Sequence, residues 1–483
     1  MSGLLRLVPD EPEPAHDLAV APGRTRSRPR WAADPLDELA EELGAVCAAA
    51  VHPDEIAAVL EADGLTGEQI AERYGRKDAF ELAAELYARV PRSHPEPAPS
   101  PDPWRVRPGQ FLLRSLVFTL PGFGYALGSP LMGGGRDRFG LPAGTGALVA
   151  SALVAWAWNQ ALAHRAYVRL AAGGRPAAGR CLGVGAPLGA LLATGAALAL
   201  PAPAGALAFA CGQLLYLAAA TVLLVLGRER LLLLALLPVA AGGAAALVTP
   251  PPPALGAALL LASAGGALLA AGYEIARTRR EEAQPAAAPS PRPVTSLPYG
   301  LFGLGCGVLT TVAALGDVLA GHRGGAGGPA VLALTLSMGA AEWLLYRCRS
   351  MARSALAAST THARLLLRAA RVLTLCVAGY LAALTVLTLA AGALWPGTPQ
   401  PDAVRLPALL ALGAVLWSGL LLQAYGIAWT PALLCLGAAG AETTALALRT
   451  TAPATGQLVV CTGAAAALLA VATALLGRIT THR

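Results

Sequence analysis

Over most of the chain, apolar residues come in long runs separated by short polar connections, and a run of about 20 is what a helix needs to cross the hydrocarbon core of a bilayer. On that criterion the sequence predicts spans near 111–132, 142–163, 181–200, 204–226, 231–249 and 254–274. After the polar stretch TRREEAQPAAAPSPRPVTS it predicts six more, near 298–320, 329–347, 371–395, 406–425, 428–448 and 456–477. The expected fold class is all-α: a polytopic membrane protein of about twelve transmembrane helices in two six-helix lobes, 111–275 and 298–477, joined by a polar linker at 276–297 and ending in a short tail, 478–483.

Ahead of the first span the pattern changes. Residues 1–33 carry prolines, acids and the run RTRSRPR with no apolar core, which reads as a disordered head and not a signal peptide. From 34 to 92 apolar residues recur at three and four residue steps (Leu36, Leu39, Leu43; Ile56, Val59, Leu60; Ile70; Phe80, Leu82, Leu86, Tyr87), so three or four short helices are expected, with a proline-rich linker at 93–110. Glu55 to Gly75 has the spacing of a helix-turn-helix. Charge argues against DNA reading, because 34–92 holds fourteen acids and five bases, a net of −9, the wrong sign for neutralising phosphates. No nucleic-acid partner is expected; an acidic helical domain that docks a protein partner is.

Composition agrees with a membrane body: of 483 residues 55% are hydrophobic and 13% charged, with mean hydropathy +0.56. The net charge of +7 sits largely in short loops, where it sets topology. With the N-terminus inside, the inner loops collect Arg165, Arg169, Arg175, Arg180, Arg228, Arg230, Arg277, Arg279, Arg280, Arg292, Arg347, Arg349, Arg353, Arg364, Arg368 and Arg371. The outer loops hold only Arg136, Arg138, Arg323, Arg405 and Arg449, some of them offset by Asp137 and Asp402. This predicts a plasma-membrane protein with both ends cytoplasmic. The eight cysteines form no CxxC pair and fall mostly in apolar segments, so they read as small buried hydrophobes. No metal site and no cofactor are expected.

Two stretches echo each other. SALVAWAWNQALAHRAYVR (151–169) and LSMGAAEWLLYRCR (336–349) each carry a tryptophan beside a polar group and then a basic exit, and place Asn159 opposite Glu342 at an offset of 183 residues. A second pair, LPGFGYALG from Leu120 and LPYGLFGLG from Leu297, has an offset of 177. Six spans separate the members of the first pair, an even number, so the lobes would be parallel repeats about an axis normal to the membrane. The connectors after each echoing helix are basic and weakly amphipathic, expected to lie along anionic lipid headgroups.

Charged or amide groups inside a span are costly and therefore candidates for function. Glu342 and Asn159 are expected in the inner half, facing each other across the lobes as a titratable group and its hydrogen-bonding partner, with Gln160 and Trp343 beside them. The competing reading pairs Glu342 with Arg347 or another inner arginine as a structural tie. Arg114 is positioned either to receive a lipid phosphate or to snorkel to the surface. Glu442 has a coupling role or a structural hydrogen bond, and Gln213 and Gln423, with Tyr216 and Trp417, complete the cavity candidates.

Pro121 and Pro298 in the lobe-opening helices, together with the two arginine-bearing connectors, give the region from Phe111 to Gly477 a layout that resembles the multidrug, oligosaccharidyl-lipid and polysaccharide exporter superfamily. It differs from many polysaccharide flippases, which have fourteen spans, and from several cation-coupled drug extruders, which carry an acid in the first span. The resemblance implies export or flipping of an amphipathic substrate such as a lipid-linked glycan, with membrane lipids as surroundings. A membrane glycosyltransferase using Asp137 in the first outer loop, and a non-transporting scaffold, are the alternatives. No HExxH, GxSxG or aspartate-rich diphosphate motif is present, and a non-enzyme is expected.

Overall fold

The computed structural model describes residues 34–93, 108–133, 135–246, 248–282, 292–321, 328–394 and 402–476. The predicted head, most of the first linker, residues 283–291 of the second and the tail lie outside the described residues. Those described are helical with no strand, and they fall into two compact units, one built on residues 34–93 and the other on those from Pro108 onward.

The first unit has five short helices, α1 (Pro35–Glu42), α2 (Gly44–Ala49), α3 (Pro53–Ala62), α4 (Gly67–Tyr74) and α5 (Ala79–Arg89). Their starts are fixed locally. Asp34 caps α1 through the Leu36 amide, Asp78 caps α5 through the Glu81 amide, and Thr66 and Gln69 form a reciprocal capping box on α4. Ile56, Leu60, Ile70, Leu82 and Leu86 are fully buried at its centre. Phe80, predicted among the core residues, is 56% exposed, because the buried stripe of α5 runs through Ala79, Leu82, Ala83 and Leu86. Arg76 pairs with Glu85, and that guanidinium holds the carboxyl below its ordinary range. The separate Asp34 carboxyl is lowered by the Leu36 amide and then by Arg89.

Among its described residues, the second unit contains ten helices long and apolar enough to cross a membrane. They are α8 (Thr145–Leu198), α9 (Ala204–Val225), α10 (Glu229–Ala246), α11 (Pro253–Thr278), α12 (Leu297–Leu319), α13 (Gly328–Ala357), α14 (His362–Leu394), α15 (Arg405–Ala424), α16 (Trp429–Leu448) and α17 (Pro453–Leu476). The 54 residues of α8 cover two predicted spans and the connector between them. Its direction changes at Gly173 and Gly174, the latter at φ 66°, a conformation open to glycine at no steric cost. The connector thus continues as helix up to a sharp break. The first predicted span is interrupted as its mid-span proline demands: α6 (Pro108–Thr119) gives way to a 3₁₀ turn at Leu120–Gly122, then α7 (Phe123–Gly128) and a second 3₁₀ turn at Ser129–Met132. Counting that broken run and the two halves of α8, twelve apolar segments form two sets of six.

The two sets repeat their packing. Helices α6 and α7 lie on α10 as α12 lies on α16; α9 packs on α11 as α15 packs on α17; α10 packs on α11 as α16 on α17. Between the sets, α6 meets α13 and α12 meets α8, so the first element of each set contacts the second element of the other. That reciprocal exchange is what a two-fold relation between parallel repeats produces.

Small residues set how closely the sets approach. Along α12, Gly300, Gly303 and Gly307 face α8: a Cβ on Gly300 would sit 3.0 Å from the Ala157 carbonyl oxygen, one on Gly303 2.8 Å from Gln160 Cγ, and one on Gly307 2.7 Å from Leu153 Cδ2. Gly303→Val would push two helix backbones apart, at a cost on the order of 1–3 kcal/mol for an overpacked contact. The expected result is a lower thermal unfolding midpoint for Gly303→Val and little change for Gly437→Val, where a Cβ meets nothing within 4 Å. Equal midpoints for the two variants would contradict the close seam.

Candidate functional site

The interface between the two sets encloses a narrow pocket. Arg114 and Phe118 of α6, Trp156, Asn159, Gln160 and Tyr167 of α8, and Thr221 of α9 line it from the first set; Met338, Ala341, Glu342 and Leu345 of α13 and Leu420 of α15 line it from the second. It admits water-sized spheres over about 70 Å³, room for only a few waters and far below the several hundred Å³ of a site holding a drug-sized ligand. Glu342 lies fourteen residues after Gly328, the start of α13, hence ~21 Å along the helix at 1.5 Å per residue.

Arg114 is the hub. Its guanidinium is ion-paired to Glu342 across the set boundary, and its Nη2 donates to Glu229 Oε1 at 2.9 Å within its own set. All three side chains are largely withdrawn from solvent, at 17% exposure for Arg114 and Glu229 and 9% for Glu342. One guanidinium between two carboxylates leaves the triad with a net charge of −1, so a single proton brings it to neutrality. Of the readings open for Glu342, the structure shows an arginine partner, but it is Arg114 of the other set and not Arg347. Arg114 turns inward to carboxylates instead of reaching the surface. Asn159 and Glu342 line the same pocket, and the ion-pair partner of Glu342 is Arg114.

The backbone under Glu342 is pinned. Trp417 of α15 donates its Nε1–H to the Ala341 carbonyl at 3.2 Å, and the Tyr380 and Ser337 hydroxyls are 3.2 Å apart one turn away. The Tyr380 and Trp417 rings stack at 6.4 Å. Ser115, next to Arg114, reaches the Leu336 carbonyl at 3.4 Å across the boundary. On the α8–α12 side of the same boundary, His164 stacks on Tyr299 with centroids 3.7 Å apart, and its Nδ1 lies 3.0 Å from Ser296 Oγ. Both sides of the boundary are therefore bridged by side-chain contacts between the sets.

Four of the sequence candidates, Arg114, Asn159, Gln160 and Glu342, meet in this pocket. The other four lie elsewhere. Trp343 is 40% exposed on the outer face of α13, because one residue along a helix is a rotation of about 100° from Glu342. Gln213 donates to the Tyr125 hydroxyl at 2.7 Å inside the first set. Gln423 is buried near the end of α15, and Glu442 is buried between α16 and α17, where the Cys461 thiol donates to its Oε1 at 3.2 Å. Trp158, conspicuous in the sequence, serves packing: its Nε1–H donates to the Gly185 carbonyl at 2.8 Å, tying the two halves of α8 together.

Two further acids carry contacts that the sequence pattern does not mark. Glu229, in the run GRER, is the lone acid among arginines at the start of a span. Glu274, 2% exposed, is paired with Arg175 and Arg228 at 3.0 Å each, and Arg175 also reaches Glu281 at 3.2 Å. This cluster ties the break of α8, the α9–α10 connection and the end of α11 into one block.

Fold and site together define an all-α, multi-pass membrane protein whose two six-segment halves meet at a pocket that holds a buried ion pair. No family model and no curated protein matches the chain. Among solved structures it is similar to a crystal structure of a proline-to-alanine mutant of MATE (14% identity, TM-score 0.42, covering 77% of this chain and 97% of that one) and to MATE in complex with MaL6 (13%, 0.41, 77% and 97%). It is also similar to the inward-facing conformation of a multidrug resistance MATE family transporter of the MOP superfamily (13%, 0.39, 77% and 94%). At TM-scores near 0.4 these likenesses add no weight to the site described above.

Proposed function

We propose that this chain is a membrane transporter that exports or flips an amphipathic substrate by alternating access between its two halves, with the Arg114–Glu342 contact made and broken in each cycle. The observation that carries this reading is the pocket itself, which lies between the halves, is lined from both and holds the Arg114–Glu342 ion pair within a largely apolar wall. A packed scaffold gains nothing from an arginine and two carboxylates withdrawn from water at such a boundary, where their desolvation is expensive. The pocket is too small for cargo in this conformation, so entry requires the halves to part. Arg114 is built for that separation: when Glu342 leaves, Glu229 of its own half still neutralises it. Protonation of Glu342 weakens the cross-boundary pair, which links opening to a proton.

An amphipathic cargo, such as a lipid-linked glycan, suits a lining that mixes Phe118, Trp156 and Tyr167 with Arg114, Asn159 and Gln160. The arginine-rich end is assigned to the cytoplasm by the excess of positive charge in its connections, which places both termini there, and the acidic α1–α5 unit is assigned to docking of a basic protein partner. A glycosyltransferase built on Asp137 is disfavoured, because its Oδ1 already accepts the Phe139 and Leu141 amides at 2.9 Å each and so shapes its own loop. The test is reconstitution in proteoliposomes under an imposed pH gradient, with a fluorescent polyprenyl-diphosphate glycan and a water-soluble dye compared side by side. Movement of the glycan lipid supports the whole reading; movement of the dye alone overturns the cargo assignment; movement of neither overturns transport of these cargo classes by this chain.

A further inference from the structure

The arginine-rich ends of the two halves are neutralised in different ways. In the first half, Arg175 and Arg228 are met by Glu274 and Glu281. In the second half no acid occurs anywhere from 343 to 401, a stretch that holds Arg347, Arg349, Arg353, Arg364, Arg368 and Arg371. Part of that charge is absorbed by the protein: Arg349 lies 5.1 Å over the Tyr425 ring, and Arg368 donates to the Ala358 carbonyl. Arg371, exposed on α14, has no hydrogen-bond or ion-pair partner among the described residues.

These groups border an open crevice between the end of α13 and the start of α14, which admits water-sized spheres over about 420 Å³. One wall is the face of α13 carrying Met351, Ser354, Ala355 and Ala358; the other is the face of α14 carrying Arg368, Arg371, Val372 and Leu375. Spacings of three and four residues put Arg368, Arg371 and Leu375 on one stripe, with the arginines toward the helix start and the leucine deeper in the span. Leu375 is 53% exposed below the arginines and Val372 lines the same wall, so the crevice is apolar below and cationic above. A soluble anion would use the arginines and leave the apolar wall bare, whereas a phospholipid matches both.

We propose that this crevice is a binding site for one anionic glycerophospholipid, its phosphate held by Arg371 and Arg368 and its acyl chains lying along Val372, Leu375 and Met351. Basic pockets between membrane helices at the cytoplasmic face take such headgroups, and the acid-free stretch from 343 to 401 supplies the charge complementarity here. The site is separate from the pocket between the halves, so its fate does not depend on whether the chain transports.

The test is native mass spectrometry of the full-length protein in a neutral detergent, titrated with phosphatidylglycerol or with phosphatidylcholine of the same chains. Phosphatidylglycerol should occupy a first site at lower concentration than phosphatidylcholine, and Arg371→Gln should weaken that first binding by roughly fivefold, about what one arginine contributes at an anionic lipid surface. Arg368→Gln/Arg371→Gln should remove it, while Arg136→Gln, at the other end of the bundle, should leave it intact. Because Arg368 also holds a backbone carbonyl, the single Arg371 variant decides if the double variant does not fold. Equal binding of the two lipids, or an Arg371→Gln protein that binds phosphatidylglycerol like the parent, overturns the site.

Discussion

Glu342→Gln is expected to abolish transport driven by a pH gradient, a loss of tenfold or more in initial rate, while expression and folding persist. Glutamine keeps the shape and can still accept a hydrogen bond from Arg114, but it cannot gain or lose a proton at working pH. The triad passes from a net charge of −1 to neutrality, and Arg114 keeps Glu229 as its partner. A protein in that state sits permanently where protonation would have put it: the cross-boundary pair is weakened, and the proton gradient has no group to act on. A tenfold loss corresponds to ~1.4 kcal/mol, well within the coupling an inter-site effect supplies. Glu342→Asp retains the titratable group and should restore part of the rate. Transport unchanged in Glu342→Gln would remove Glu342 from the mechanism.

Arg114→Ala is expected to be the most destabilising single change in the membrane unit. It leaves Glu229 and Glu342 without their shared cation in a place withdrawn from water, and breaking a buried ion pair by deleting one partner costs about 3–5 kcal/mol. Part of that cost is avoided if a carboxyl takes up a proton, which makes the penalty largest at high pH and smaller as pH falls. Adding Glu342→Gln to Arg114→Ala removes the more enclosed of the two stranded charges. The double variant should then unfold at a higher temperature than Arg114→Ala alone, and the cycle should show coupling of roughly 1 kcal/mol or more. Additive losses would mean that the two side chains do not act on each other.

Much of this architecture can be read from the chain because lipid leaves few solutions: every span must be a helix satisfied within itself. The boundaries of α9, α15 and α16 fall within a residue or two of the apolar runs that predict them. The interruption at Leu120–Gly122 follows from Pro121, and the pocket positions of Asn159 and Glu342 follow from two echoing stretches. What the chain alone left open is which groups touch. Glu342 had several arginines within reach by sequence, and its partner proved to be one 228 positions earlier, on a helix brought alongside by the reciprocal contact of the two halves. Glu229 and Glu274 were unremarkable for the same reason, since their significance lies in partners from other helices. Trp343 shows the opposite error: a conspicuous residue beside one that lines the pocket, turned away by a single helical step.

The central claim, that the two halves part at the arginine-rich end when the triad is neutralised, is tested most directly by a distance. Spin labels introduced through non-canonical amino acids at Arg230 and Ala357, both exposed, one in each half and both at that end of the bundle, would be read by pulsed electron resonance at high and low pH. The account predicts two distance populations, the longer one growing as pH falls and already dominant at high pH in Glu342→Gln. A single distance, unmoved by pH and by that substitution, would contradict it.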